Sequence, residues 1–190
     1  MFSHVTPPAS EPVTLIEAKS HLRVDFDADD TLITTLISTA RQFVENCTGR
    51  ALVSRVVRVD ADNWDSEILL PLNPVVSISS IKYMDSDGVE QTLASTEYQL
   101  ATQKLPARVK PAYGASWPAI RSGLYDSVKV EFTAGYGDAG AVPNDLKHAV
   151  LFMIAHLYEQ REPVVVAGNI DVKTVPFAVD ALMDIYRVYL

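Results

Sequence analysis

Phe43-Val44-Glu45-Asn46-Cys47-Thr48-Gly49-Arg50-Ala51-Leu52-Val53-Ser54-Arg55-Val56-Val57-Arg58-Val59 is the stretch in which the hydrophobic period of the chain changes. Upstream, Leu32, Ile33, Leu36, Ile37, Ala40, Phe43, Val44 and Cys47 recur at three- and four-residue spacing, which predicts a helix from about Asp30 to Thr48. Gly49 stands where a helix-ending glycine belongs, and acid early with Arg41 and Arg50 late suits the helix dipole. Downstream, Val53 to Val59 reads as a strand.

Toward the N-terminus, Thr14 and Glu17 form a capping-box pattern ahead of a short helix, about Leu15 to Leu22. Met1 to Pro12 carries three prolines and no periodicity, and reads as an extended arm. Toward the C-terminus, Ile68 to Leu70, Val75 to Tyr83, Val89 to Leu93, Tyr98 to Ala101 and Ser127 to Thr133 read as further short strands. Asp85-Ser86-Asp87-Gly88 marks a hairpin turn. Helices return at Pro143 to Arg161 and at about Pro176 to Val188. The order predicts an α+β fold that is mainly a helical bundle with an inserted region of short antiparallel strands. It is read as one domain of residues 1–190: an arm (1–12), helices (13–50), a β insertion (51–134), a long helix (143–162) and a C-terminal segment with a helix (163–190).

The long helix has more apolar surface than one core stripe needs. Leu146, Ala149, Val150, Met153, Ile154 and Leu157 form that stripe. Leu151, Ala155 and Tyr158 form a second, and Phe152 projects elsewhere between His148 and His156. Such a helix must be covered on several sides, by its own domain or by a neighbouring subunit. Leu151, Phe152 and Tyr158 are the candidate subunit-interface residues.

A formal charge of −8 argues against a protein whose main work is gripping duplex phosphates. Cys47 is the single cysteine, so neither an internal disulfide nor a cysteine metal cluster is available. No basic-then-apolar leader is visible at the N-terminus, and no apolar run approaches the ~18 residues of a membrane span. Synthesis in a reducing cytoplasm is expected.

The motifs that suggest chemistry fail on detail. Gly135-Tyr136-Gly137-Asp138-Ala139-Gly140 matches G-x-G-x-x-G, but Val142-Pro143 places the helix start after the last glycine, away from any pyrophosphate. A flexible strand-to-helix turn is the expected role. Thr133 to Asp138 mimics a potassium-channel filter without the membrane helices a filter needs. Asp25, Asp27 and Asp29 open like a calcium loop, but Asp30 and Leu36 stand where the glycine and the bidentate acid belong. His148, His156 and Glu159 lack the H-E-x-x-H pattern. Cys47 is expected to be a small buried apolar residue. No catalytic residue, metal ligand or cofactor is assigned.

Between Glu97 and Asp126 stand Lys104, Arg108, Lys110 and Arg121 and no acid. Pro106, Pro111, Pro118 and Gly114 make the stretch read as loop. With Tyr113 and Trp117 interleaved, it would suit either nucleic acid, through charge and base stacking, or an acidic protein neighbour. Lys104, Arg108, Lys110 and Trp117 are therefore candidate contacts to DNA or to a protein partner, the whole-chain charge favouring protein.

Several stretches in order complete the pattern: Pro12-Val13-Thr14-Leu15-Ile16-Glu17-Ala18-Lys19 running into His21-Leu22-Arg23-Val24-Asp25, then Thr48-Gly49-Arg50-Ala51-Leu52, Leu70-Pro71-Leu72, and Tyr83 to Val89. Gly114-Ala115-Ser116-Trp117-Pro118, Ala134-Gly135-Tyr136-Gly137, Val142-Pro143, His156-Leu157-Tyr158-Glu159 and Val175-Pro176-Phe177 follow. Together they resemble the head–tail connector (adaptor) proteins of long-tailed bacteriophages and gene transfer agents. The resemblance implies a structural virion protein at the neck, made in the host bacterial cytoplasm. It implies a ring of copies, usually a dodecamer, between the portal protein and a tail, stopper or terminator protein. Genomic DNA would pass through the channel without sequence-specific binding, and no membrane would be involved. It further implies portal contact by about Val164 to Leu190, hence Val164, Val165, Val166, Phe177 and Tyr186. The alternatives are a nucleic-acid-binding accessory protein using residues 104–121, or another neck or tail-completion protein.

Overall fold

The structure, a computed structural model, describes residues 2–121, 123–160 and 177–188. Backbone proximity groups these into two compact units: a β unit taking the residues up to Ala9 and Gly49–Tyr136, and a helical unit taking Ser10–Thr48 and Gly137–Arg187. The described residues form four α-helices and eight strands, the strands in two antiparallel sheets. This corrects the expected mainly helical bundle with a β insertion. The strands are short, but they bury one another's side chains around a core of their own.

In the β unit, β1 (Phe2–Val5), β2 (Arg55–Ala61), β4 (Val75–Met84), β5 (Glu90–Thr92) and β8 (Val128–Ala134) form a five-stranded sheet ordered β1-β2-β8-β4-β5. A second sheet of three strands is ordered β3 (Ile68–Leu70), β7 (Ala107–Pro111), β6 (Tyr98–Ala101). Strand β8 shows the underlying pattern: Val128, Val130, Phe132 and Ala134 are buried and the residues between them are not. Val57 and Val59 of β2, Ile81 of β4, Ile68 and Leu70 of β3, and Ala107 and Val109 of β7 join the same core. Along β4 the alternation is broken, because the register with β8 shifts between Val75 and Ser77 and again between Ile78 and Ser80.

Strand β7 lies inside the stretch read as loop. Its flanking prolines and its cations hid a period of two that Ala107-Arg108-Val109-Lys110 does carry: Ala107 and Val109 are buried, while Lys110 is exposed. Asn73, wholly buried, ties this sheet to the segment Gly49–Ala51 of the same unit. Its Nδ2 donates to the Leu70 carbonyl (3.2 Å), its Oδ1 accepts from the Ala107 N–H (3.1 Å), and its backbone exchanges hydrogen bonds with Gly49 and Ala51.

In the helical unit, α1 (Leu15–Leu22) begins with the capping box foreseen: the Glu17 N–H donates to Thr14 Oγ1 (3.2 Å) and the Thr14 N–H donates to the Glu17 carboxylate (2.7 Å). It is followed by α2 (Asp30–Thr48), α3 (Asn144–Glu159) and α4 (Phe177–Asp184). Helix α3 packs against α1, α2 and α4. Its own unit therefore covers it on three sides, with Leu146, Ala149, Val150, Met153 and Ile154 buried. On α2, Ile33, Ile37, Ala40 and Val44 are buried, and so are two charged residues. Arg41 donates through Nε to Glu11 and through a terminal nitrogen to Glu45, each at 2.7 Å, and Arg41 and Glu45 are almost entirely shielded from water.

Candidate interaction surfaces

The outward face of the three-stranded sheet gathers the basic residues. Leu69 of β3, Arg108 of β7 and Ala101 of β6 sit in one cross-strand row, and Lys110 and Gln99 in the next. Lys104 stands in the turn between β6 and β7. Glu67, just before β3, accepts from Arg108 at 2.9 Å. That bond, reinforced by the charges of Lys104, Arg108 and Lys110, holds its carboxyl below the usual glutamate range. Leu69 is 44% exposed and Leu105 is also open, so the face combines cations with apolar area.

Trp117 is set apart from that face. It stacks on Trp64 with centroids 4.5 Å apart and planes 6° from parallel, and its Nε1 donates to the Asp65 carbonyl (2.7 Å). Trp64 in turn donates to the Pro118 carbonyl (2.9 Å) and leans on Tyr83. The pair pins the loop from Ala112 to Ile120 onto the β core, so one ring face of Trp117 is already used. Nothing local in the sequence joined Trp64 to Trp117, which stand far apart along the chain. Tyr113 is fully exposed beside Gly114, and the Arg121 guanidinium lies over Gly88 of the hairpin turn.

On α3, Phe152 is 37% exposed and meets the rings of His21 and His148 at 5.7 and 6.3 Å. Tyr158 donates to Asp29 at 2.5 Å, and Leu151 is half-buried. Near the C-terminus, Tyr186 donates to Asp145 at 3.2 Å. Val164, Val165 and Val166 lie outside the described residues, as does the side chain of Phe177.

The residues that suggested chemistry have other work. At Gly135 (φ 134°) a Cβ would come within 2.5 Å of the Ser54 backbone, and its N–H donates to the Pro74 carbonyl (2.9 Å). The glycine motif is thus a close crossing of backbones, a tighter role than the flexible turn expected of it. Asp138 then caps a 3-10 turn, Ala139–Ala141. Lys19 holds Asp27 and Asp30, each at 2.7 Å, at the foot of α2. Burial pushes the Cys47 thiol up, away from the thiolate a nucleophile needs. Among the described residues, no three His, Cys, Asp or Glu side chains gather as metal ligands, and no helix is long and apolar enough to cross a membrane.

A profile described as phage gp6-like head–tail connector protein matches residues 12–110. The chain belongs to that family. This connector is also similar, over its full length, to solved chains from gene transfer agent particles. One is from the neck of an empty particle computed with C6 symmetry, with 29% identity and a TM-score of 0.82. A second comes from the virion of the native particle, with 30% identity and a TM-score of 0.80. A third is from the native neck computed with C12 symmetry, with 28% identity and a TM-score of 0.76. Each comparison covers 100% of this connector and 96% of the other chain. No curated protein matches the connector's sequence.

Proposed function

We propose that the connector is a non-catalytic structural subunit of the virion neck. Copies form a ring, a dodecamer in this reading, that joins the portal to a tail-side protein and extends the channel for the genome. The observation that carries this is the end-to-end likeness, at 28–30% identity, to chains from gene transfer agent particles, two of them solved as necks. Two of those necks were computed with C6 and C12 symmetry, which favours a closed ring of copies. The net charge of −8 suits a conduit through which DNA slides without being held. The role calls for no cofactor.

Within this reading, Phe152 with Leu151 and Tyr158 is assigned to subunit contact, and the partly open Phe152 ring supports that assignment. Portal contact is assigned to the segment that begins at Val164, with Val165, Val166, Phe177 and Tyr186. Electron microscopy of capsid–tail particles carrying a labelled copy of the connector tests the proposal. Label at the neck in a ring is the expected result, and label elsewhere overturns it. Co-purification with the portal protein, lost when residues 164–190 are deleted, tests the portal assignment.

A further inference from the structure

The charge of this chain is divided unevenly. The residues of the helical unit hold nearly all of the net negative charge, while those of the β unit come close to neutral. Within the β unit, one sheet face bears Lys104, Arg108 and Lys110, with Glu67 bonded to Arg108, around an exposed Leu69. Phosphate would use the cations of that face and leave Leu69 and Leu105 unused. A protein patch with an apolar centre and an acidic rim would use both. The helical unit carries such a patch: Asp25-Phe26-Asp27, between α1 and α2, places a 49% exposed phenylalanine between two exposed aspartates, of which Asp27 is paired with Lys19 of its own chain (2.7 Å).

We propose that the outward face of the three-stranded sheet is a heterologous contact for a second copy of this chain, seating that copy's Asp25-Phe26-Asp27 turn with Phe26 on Leu69. The proposal rests on the ring reading above and names both of the complementary faces such a contact needs. A contact between unlike patches is what a closed ring of identical copies requires.

The test uses the full chain with Cys47→Ala, in two versions. One carries Leu69→Cys and the other Phe26→Cys; they are mixed and treated with a short bis-maleimide. A cross-linked dimer formed in the mixture, and far less in either version alone, is the expected result. Lys110→Glu in the first version should lower the yield about tenfold, and Asp25→Lys in the second should restore it. Ala101→Cys, on the other side of Arg108 from Leu69 in the same cross-strand row, with Asp25→Cys repeats the test should Leu69→Cys impair folding. Absence of both cross-links from chains with wild-type circular dichroism overturns the proposal. If rings are nevertheless seen at the neck, only this face is wrong; label away from the neck removes the ring reading itself. Salt-sensitive binding of duplex DNA that Lys104→Glu and Lys110→Glu abolish would also overturn it, by giving the face to nucleic acid.

Discussion

The two units of this connector bury different things. The β unit closes around aliphatic side chains and Phe132, with Asn73 as a polar residue whose amide is bonded at both ends. The helical unit encloses an ion cluster, Glu11–Arg41–Glu45, in which the arginine is shared between two carboxylates. Dry aliphatic packing tolerates little change of shape, whereas a buried ion group tolerates little change of charge. One molecule thus has two weaknesses of different kinds, and single substitutions should separate them.

The largest effect is expected from Arg41→Ala. It takes the shared cation away from Glu11 and from the enclosed Glu45, and breaking a buried ion pair by removing one member costs about 3–5 kcal/mol. Urea unfolding should show it, and amide exchange should accelerate in α2. Replacing the cluster by apolar residues of similar volume, Arg41→Met with Glu45→Leu, should recover most of the loss. If it does not, shape matters here as much as charge, and the contrast fails.

Gly135→Ala comes next, at roughly 2–4 kcal/mol, because the new methyl meets the Ser54 backbone and the positive φ disfavours any side chain. Exchange should rise in β2 and β8 while α2 keeps its protection. Asn73→Ala should cost about 1–3 kcal/mol by stranding the Ala107 N–H and the Leu70 carbonyl. Added salt should leave that loss unchanged.

The smallest effect belongs to the cap of α1. Thr14→Ala should cost about 1 kcal/mol. The hydrogen bonds from Thr14 depress the Glu17 carboxyl below the ordinary glutamate value. Its contribution is therefore present above that ordinary value and lost as the pH falls through the lowered one. A stability profile against pH should flatten there only in part in Thr14→Ala, which keeps the larger backbone bond to Glu17, and fully in Glu17→Gln. An unchanged profile would show that the acid sensitivity of the helical unit originates elsewhere.

Much of the helical unit was legible in the sequence because its signals are local. Thr14 and Glu17 are three residues apart, the stripe of α2 repeats within its own length, and Gly49 follows its last turn. Both α1 and α2 have the bounds read from those cues. The β unit depends on pairings between distant residues. Ile68 faces Val109 and Arg58 faces Glu131, and no local pattern specifies such partners. Hence the strands were read as an insertion, although they build a core of their own. Strand β7 was missed because Pro106, Pro111 and three cations obscured an alternation of only four residues. The basic residues were found from charge alone. Their division into a strand face, and a tryptophan stack apart from it, required the fold.

The order of strands bears on how the protein is made. Strands β2 and β4 have no ladder with each other; β8, the last described strand, lies between them and pairs with both. Until residue 134 has left the ribosome, two edges of the main sheet stand open, and α1 and α2 wait for α3 in the same way. A prematurely terminated chain would expose those edges to aggregation or to proteases. Synthesis would then deliver to particle assembly only subunits that had been translated past β8.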